Sequence, residues 1–214
     1  MSEIKSEPGA ANRPFTVSRR TFVQTLACVT GAIGILSPTT FLGAAMPSSP
    51  AVRTGTRNLI TDVPGLKVGV AQDSRVRTGT TVILPDSPAI AAVDVRGGGP
   101  ATRETDALGE DNLVQTLDAL VLSGGSVYGL AAADGVAAWL GQQGRGYALR
   151  PAPGVPVSPI VPTACLYDLS NAGDKNWQLD PPYRQLGIEA AGKAGHDFPL
   201  GTVGAGYGLS LIHI

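Results

Sequence analysis

The residues best suited to chemistry lie in one short stretch that contains Gly124, Gly125, Ser126 and Tyr128. The apolar run before it, residues 119–122, predicts a buried strand, and the small residues after it predict a helix. The two glycines permit a sharp turn and let a substrate come close to the backbone. Ser126 is predicted to be the N-cap of the helix, which places Tyr128 in its first turn beside free amide groups. A strand, a glycine turn and a helix N-terminus can together hold a negative charge.

The same stretch has a second interpretation, as a joint built for packing. The predicted helix, residues 126–140, has a face rich in alanine and glycine, and such a face indicates that another element packs against it closely. The local pattern alone favours packing over an anion site. Other parts of the chain have to decide between the two.

Composition indicates an ordinary folded domain. The chain has 214 residues, a net charge of −1, 43% hydrophobic and 15% charged residues, so no basic excess points to nucleic acid. Glycine (28) and proline (17) favour many turns over long helices. Strands outnumber helices in mixed order, which predicts an α+β fold of one domain. The predicted strands are residues 66–71, 79–84, 89–95 (buried on both faces), 119–122, 147–150 and 163–169, and the predicted helices are residues 110–117, 126–140 and 183–194.

A second glycine-rich stretch, Gly97-Gly98-Gly99, follows the predicted third strand. We predict a loop that approaches the substrate or a processing site and is pinned by Arg96, Arg103 and Glu104. A solvated loop with local ion pairs is the alternative. Three glycines between charged residues resemble an anion-binding nest. The Gly-Lys-Ser/Thr signature of nucleotide-binding loops is missing, so nucleotide binding is not predicted.

The first 45 residues, 1–45, are predicted to be a twin-arginine export signal and not part of the fold. The residues around Arg19-Arg20 match the twin-arginine pattern. Residues 26–42 form an apolar stretch that is too short for a typical membrane span and is interrupted by Ser37-Pro38. Gly43-Ala44-Ala45 offers a small-residue cleavage site. An uncleaved anchor is the alternative. Residues 46–57 are then a linker, and we expect a periplasmic protein.

The last six residues, 209–214, do not continue the preceding glycine-rich pattern. Leu-Ser-Leu-Ile-His-Ile back-translates to CTGTCTCTTATACACATC, which we recognise as a transposase adapter end. We therefore expect residues 58–208 to be true domain sequence and assign no role to His213.

Cysteine and histidine predict neither a nucleophile nor a metal site. Cys28 lies in the export signal, so the mature chain keeps only Cys165, whose apolar neighbours indicate a small core residue. His196 and Asp197 have no further ligand at suitable spacing. We predict no metal and no cofactor.

Five motifs in register resemble the self-cleaving DmpA-type aminopeptidases, which include β-peptidyl aminopeptidases and endo-type nylon-oligomer hydrolases. The resemblance covers roughly residues 58–208. The motifs, in chain order, are ITDVPGLKVGVAQD, VDVRGGGPATRETDAL, LVLSGGSVYGLAAADGVAAWL, VPTACLYDL and GTVGAGYG.

The resemblance implies an αββα four-layer sandwich of the N-terminal-nucleophile-like type, incomplete in this fragment. It implies a precursor that cuts itself before a Ser or Thr, which then acts as nucleophile with its own α-amine as base. Tyr128 matches a family tyrosine that assists at the oxyanion or in processing. Lys175 matches a lysine near the site in the nylon-hydrolase branch, and an ordinary surface lysine in a polar loop is an equally weighted alternative. Gly124, Gly125 and Ser126, with the Gly97–Gly99 loop, are expected to line the substrate. The implied partners are a small peptide or amide substrate, a C-terminal subunit cut from the same precursor, and further copies of the complete protein.

Two departures qualify what the resemblance implies. An asparagine that serves the oxyanion hole in the family is replaced by Thr202, which has one rotatable hydroxyl in place of a two-donor amide. We expect Thr202 to stabilise the oxyanion together with Tyr128, and a backbone amide in its place is the alternative. The nucleophile itself is absent, so we predict that this fragment is inactive. An acyltransferase of the ornithine-acetyltransferase kind shares the fold, although an export signal argues against it. A periplasmic binding or assembly module that has lost catalysis is the non-enzyme alternative, favoured by Thr202.

Overall fold

The computed structural model describes residues 53–209, and a five-stranded mixed sheet lies at the centre of them. The strands are β1 (Leu66–Asp73), β2 (Thr78–Pro85), β3 (Thr102–Arg103), β4 (Leu120–Ser123) and β5 (Thr163–Cys165). Their order across the sheet is β1-β2-β4-β5-β3. Only β4 and β5 are parallel; the other neighbours are antiparallel. The parallel pair places Ser123 beside Cys165, so the segments that follow both strands meet at one edge of the sheet.

Two α-helices of the described chain pack against each other and against one face of the sheet: α1 (Ala132–Gln142) and α2 (Tyr183–Gly192). Glycine allows the close approach, because a methyl group on Gly135 would overlap the carbonyl oxygen of Arg184. Likewise, a methyl group on Gly187 would overlap the carbonyl oxygen of Ala132. The small-residue face that the sequence indicates is therefore a helix–helix packing surface.

The core lies between these helices and the sheet. Val82 in β2 and Val121 in β4 are opposite each other in the register, and both are fully buried. They pack in one cluster with Val136 and Leu140 from α1 and Tyr183 from α2. Each fully buried aliphatic side chain of this kind contributes about 1.5–3 kcal/mol through burial.

The opposite face of the sheet is also apolar but is only partly covered by the described residues. Ile83 pairs with Leu120, and Leu122, on the same face, is 38% exposed. A cavity of about 90 Å³ separates this face from a segment that contains Val93 and Leu108. The sheet therefore has one closed and one open apolar face within residues 53–209.

The predicted α+β class is confirmed, and most long periodic segments form the predicted elements. The strands predicted at 66–71, 79–84 and 119–122 and the helix predicted at 183–194 are present with shifted ends. The strand predicted at 163–169 is only three residues long. No helix in the described part is long and apolar enough to cross a membrane. The predicted export signal lies outside the described residues.

Three predicted elements are wrong. Residues 89–95 are not a buried strand: Ile90 is 85% exposed, and Ala89 makes only an isolated bridge to Leu117. Residues 110–117 are not helical, and residues 147–150 contain only an isolated bridge, from Tyr147 to Ser158. An apolar run becomes a buried strand only where a paired edge and a covering layer are both present, and these segments lack them in the described chain.

Candidate functional site

The glycine turn after β4 is the centre of the site, and glycine itself caps the helix that follows. A 3-10 helix spans Ser126–Ala131 and leads directly into α1. Its N-cap is Gly125, with φ of 85°, and no side chain makes a capping hydrogen bond. The prediction of Ser126 as N-cap is wrong, because Ser126 is the first helical residue and has a φ of 52°. The left-handed backbone at Gly125 is the conformation that glycine adopts most readily.

Both glycines are also required by their surroundings. A methyl group on Gly124 would overlap the carboxylate of Asp168, and one on Gly125 would overlap the ring of Tyr183. The packing interpretation of this turn is therefore correct for the glycines. It does not exclude a site, because the same contacts hold the turn rigid.

Asp168 anchors the turn and was missed by the sequence analysis. It is 2% exposed, accepts a hydrogen bond from the Thr78 hydroxyl at 2.6 Å and accepts another from the backbone N–H of Gly125 at 2.7 Å. Carboxylate hydrogen bonds to backbone N–H groups are about twice as strong as neutral ones. The only signal in the sequence is an acidic residue that directly follows the apolar run 163–167.

Tyr128 lies at the surface of the turn, where a ligand can reach it. Its side chain is 46% exposed, and its backbone N–H donates to the carbonyl of Gly125 at 3.1 Å. Its ring meets the ring of Trp177 edge-on, with centroids 5.4 Å apart, and Trp177 in turn meets Tyr183 at 5.9 Å. Such edge-to-face pairs are the preferred aromatic geometry. The ring of Tyr128 is thus supported from the core while one side stays open.

The hydroxyl of Tyr183 lies inside this arrangement without a hydrogen-bond partner among the described residues. Burial raises the pKa of Tyr183 to about 12, and the nearby Thr78 hydroxyl acts in the opposite direction. Tyr183 is therefore a neutral packing residue behind the turn at ordinary pH.

Lys175 lies in the loop that follows Asp168. Its ammonium group donates to the carbonyl of Val76 and, at 2.9 Å, to the side-chain oxygen of Asn171. Burial lowers the pKa of Lys175, and the charge of Asp168 opposes that shift. The amide nitrogen of Asn171 donates to the carbonyl of Gly208 at 2.8 Å, which ties this loop to the last described residues.

Thr202 lies in the segment that follows α2. It is exposed in the loop before a 3-10 helix, Gly204–Gly206, and its side chain makes no hydrogen bond with the described residues. The loop is held nearby, because the backbone N–H of Ala205 donates to the Thr81 hydroxyl of β2 at 3.1 Å. The proposed role of Thr202 at an oxyanion stays a prediction.

The Gly97–Gly99 loop is exposed, and no described atom lies within 4 Å of a methyl group built on any of its glycines. Its C-terminal flank is held by two contacts: Arg103 pairs with Asp134 of α1 at 2.6 Å, and Glu104 accepts from the N–H of Val161 at 2.8 Å. Arg96 pairs at 2.7 Å with Asp94 of the same segment, and both side chains are exposed. The loop is therefore anchored after its glycines and open to solvent in the middle. A role for it in substrate contact stays a prediction.

Cys165 lies beside the site but is not activated. Burial, followed by the charge of Asp168, raises the pKa of its thiol to about 12. A thiol in that state is protonated and is a poor nucleophile. Within residues 53–209 no three His, Cys, Asp or Glu side chains are grouped as a metal site would require.

The described residues form an α+β domain, and sequence comparison identifies its family. Residues 58–214 match Peptidase family S58, and the chain belongs to that family. It is 46% identical over 157 residues to "Uncharacterized aminopeptidase Rv1333" of Mycobacterium tuberculosis, an alignment that covers 70% of this chain and 43% of that protein. It is 43% identical over 164 residues to "Uncharacterized aminopeptidase ML1167" of Mycobacterium leprae, covering 71% and 44%.

A solved structure shares the fold. The PH0078 protein from Pyrococcus horikoshii OT3 superposes with a TM-score of 0.57 at 23% identity, over 75% of this chain and 47% of that one. The chain therefore spans less than half the length of the relatives it matches.

Proposed function

We propose that this chain is the N-terminal part of an exported, self-processing serine or threonine peptidase that hydrolyses amide bonds in small peptides, β-peptides or amide oligomers. The match to Peptidase family S58 and the aminopeptidase names of its relatives support the peptidase class. The half-exposed ring of Tyr128 at the anchored glycine turn is the observation in the structure that carries the proposal.

The chemistry divides between this chain and the part that follows it. The nucleophilic hydroxyl comes from a Ser or Thr that self-cleavage exposes as a new N-terminus, and its α-amine takes the hydroxyl proton. Attack on the substrate carbonyl forms an acyl-enzyme and releases the amine, and water then releases the acid. Tyr128 supplies a hydroxyl donor for the negative charge that develops on the carbonyl oxygen. Without the nucleophile, the present chain alone is expected to be inactive.

The open apolar face of the sheet supports a C-terminal partner from the same precursor. Ile83, Leu120 and Leu122 lie on that face, and a second sheet packed on it would complete a four-layer αββα sandwich. Face-to-face sheets of this kind bury both apolar faces in one core. Assembly of the complete protein into a homo-oligomer is part of the same proposal.

The catalytic test is a comparison of Tyr128→Phe with Tyr147→Phe in the full-length protein. Tyr147 is bridged to Ser158 and lies outside the site, so its variant is the matched control. Loss of a donor to the oxyanion costs about 10²–10³ in kcat, and this is the loss expected for Tyr128→Phe with a peptide amide substrate. The Tyr147→Phe variant should keep its kcat. If the full-length protein released no amine from any amide, or if Tyr128→Phe kept full activity, the proposed role would be wrong.

Export is tested separately. A fusion of the full-length protein to a periplasmic reporter is expected in the periplasm, and replacement of Arg19 and Arg20 by lysine is expected to retain it inside the cell. Delivery of the lysine variant to the periplasm would exclude the twin-arginine route.

A further inference from the structure

A polar cavity of about 550 Å³ lies next to the anchored turn, on the far side of Asp168. Its lining residues are Arg77, Ser170, Asn171, Tyr207 and Gly208. The wall at Gly208 is close to Asp168, since a methyl group on Gly208 would lie 2.7 Å from the Asp168 carboxylate. The other oxygen of that carboxylate accepts from the N–H of Gly125 at 2.7 Å. One carboxylate group thus separates the glycine turn from the cavity.

The walls of the cavity are held in place by one side chain. The amide nitrogen of Asn171 donates to the carbonyl of Arg77 at 2.6 Å and to that of Gly208 at 2.8 Å. Its amide oxygen accepts from the ammonium group of Lys175 at 2.9 Å. These bonds use both the donor and the acceptor side of the Asn171 amide. Asn171 is therefore a structural part of the wall.

Arg77 is the charged group of the lining, and most of its donors are available. One guanidinium nitrogen donates to the carbonyl of Asn171 at 3.2 Å, whereas a guanidinium carries five N–H donors. The residue is exposed and has a φ of 56°, a left-handed conformation that costs about 1–2 kcal/mol for residues other than glycine. Arg77 is the last residue of the turn between β1 and β2, so the hairpin sets its backbone and leaves its side chain at the cavity wall.

The electrostatics of the cavity favour an anion. None of the described residues that line it is a carboxylate, and Asp168, which lies against the wall at Gly208, is buried and already accepts two hydrogen bonds. The ammonium group of Lys175 donates to the amide oxygen of Asn171, but the nearby carboxylates of Asp168, Asp73 and Asp174 offset its charge, so Arg77 is the positive group available to a ligand. The planar fork of Arg77 matches the two oxygens of a carboxylate, and the hydroxyls of Ser170 and Tyr207 are further donors.

We propose that this cavity is a carboxylate subsite, in which Arg77 binds the C-terminal carboxylate of a short peptide substrate. The inference rests on the proposed peptidase function and specifies its substrate class. The glycine turn and the cavity wall at Gly208 both lie against the Asp168 carboxylate, so they are one side chain apart, and two extended residues span about 7 Å. The bond to be cleaved would then lie on the Tyr128 side of Asp168, and the released amino acid would carry the carboxylate.

The test compares two substrates in the full-length protein: a dipeptide with a free C-terminal carboxylate, and the same dipeptide amidated. Arg77→Gln is expected to lower kcat/KM for the free dipeptide about 10-fold to 100-fold, mainly through KM, because it removes a charge-assisted bond. Hydrolysis of the amidated dipeptide should be unchanged. Arg77→Lys should lie between, since it keeps the charge and loses the fork. The control is Arg75→Gln, which removes the neighbouring arginine, an exposed partner of Asp174.

Three results would overturn the subsite. Equal losses for both dipeptides would show that Arg77 is structural. No loss with either would show that substrate does not reach it, as would be the case if the chain beyond residue 209 fills the cavity. A loss in Arg75→Gln equal to that in Arg77→Gln would show a general charge effect.

A binding measurement separates failure of this inference from failure of the proposed function. Calorimetric titration of the full-length protein with alanine and with alaninamide should show binding of alanine that Arg77→Gln removes, and weaker binding of alaninamide that it does not change. If the protein hydrolysed no amide but bound alanine in this way, the peptidase proposal would fail and the carboxylate site would stand. If alanine and alaninamide bound alike in both proteins, the carboxylate site would fail.

Discussion

Removal of the Asp168 carboxylate is the most direct test of how the site is held. Asp168→Ala leaves the N–H of Gly125 and the hydroxyl of Thr78 without their acceptor, and both groups are buried. An unsatisfied buried polar group costs about 1–3 kcal/mol, so the two together predict a loss of about 2–6 kcal/mol in the free energy of unfolding. The lower end applies if the Thr78 hydroxyl rotates to the unpartnered hydroxyl of Tyr183.

Two further variants separate the hydrogen bonds from the charge and from the surface. Asp168→Asn keeps an acceptor for the N–H of Gly125 and offers an N–H donor to the oxygen of the Thr78 hydroxyl. These bonds are neutral and about half as strong, so the loss in unfolding free energy should be clearly smaller than for Asp168→Ala. Asp174 also accepts two hydrogen bonds, from Arg75 and from the N–H of Asn176, but it is exposed. Asp174→Ala should therefore cost much less than Asp168→Ala.

The assay is urea unfolding of the full-length protein at neutral pH. All three variants are compared with the same slope of unfolding free energy against urea concentration. The expected order of loss is Asp168→Ala, then Asp168→Asn, then Asp174→Ala. A cost for Asp168→Ala as small as that for Asp174→Ala would refute the anchoring role. Equal costs for the two Asp168 variants would show that the charge, and not the pair of acceptors, holds the turn.

Two further predictions concern residues around the turn. Gly125→Ala forces a side chain into a left-handed backbone and against the ring of Tyr183, so we expect a loss of about 2–5 kcal/mol by urea unfolding. Gly98→Ala, built into open space, is the control and should be neutral; equal losses would contradict the packing argument. The pKa of Cys165 is raised from 9.0 to about 12 on folding, so its unfolded form loses its proton first and stability falls as pH rises from about 9 toward 12. Cys165→Ser should flatten that decline in the urea midpoint, and an unchanged decline would place its origin elsewhere.

Elements with a strong local pattern could be predicted from the sequence. The alternation in β1 and β2, the apolar run of β4 and the helical spacing of α2 all gave the right type of element, because neighbours along the chain determine these periods. Local pattern could not show whether the apolar run 89–95 is a buried strand or an exposed segment. An apolar run states that burial is favourable, but not whether another layer is present to cover it.

The same limit applies to the candidate site, where only residues that are contiguous in the sequence could be predicted. The glycine turn and Tyr128 are contiguous, and their arrangement follows from a strand that breaks at two glycines. Asp168 could not be found by such reasoning, because it lies 43 residues from Gly125 and 90 residues from Thr78 in the sequence. Trp177 and Asn171 were missed for the same reason, since each acts through a partner that is distant in the chain or packed from another element.

The sequence by itself determined the family, the α+β class, and a glycine turn with Tyr128 after a buried strand. These depend on residue types and local spacing. Only the tertiary structure decided that Asp168 holds the turn, that Lys175 is hydrogen-bonded to Asn171, and that Arg77 lines a polar cavity. The parallel pairing of β4 with β5 is the physical reason, because it brings the ends of two distant strands to one edge of the sheet, where their following loops meet.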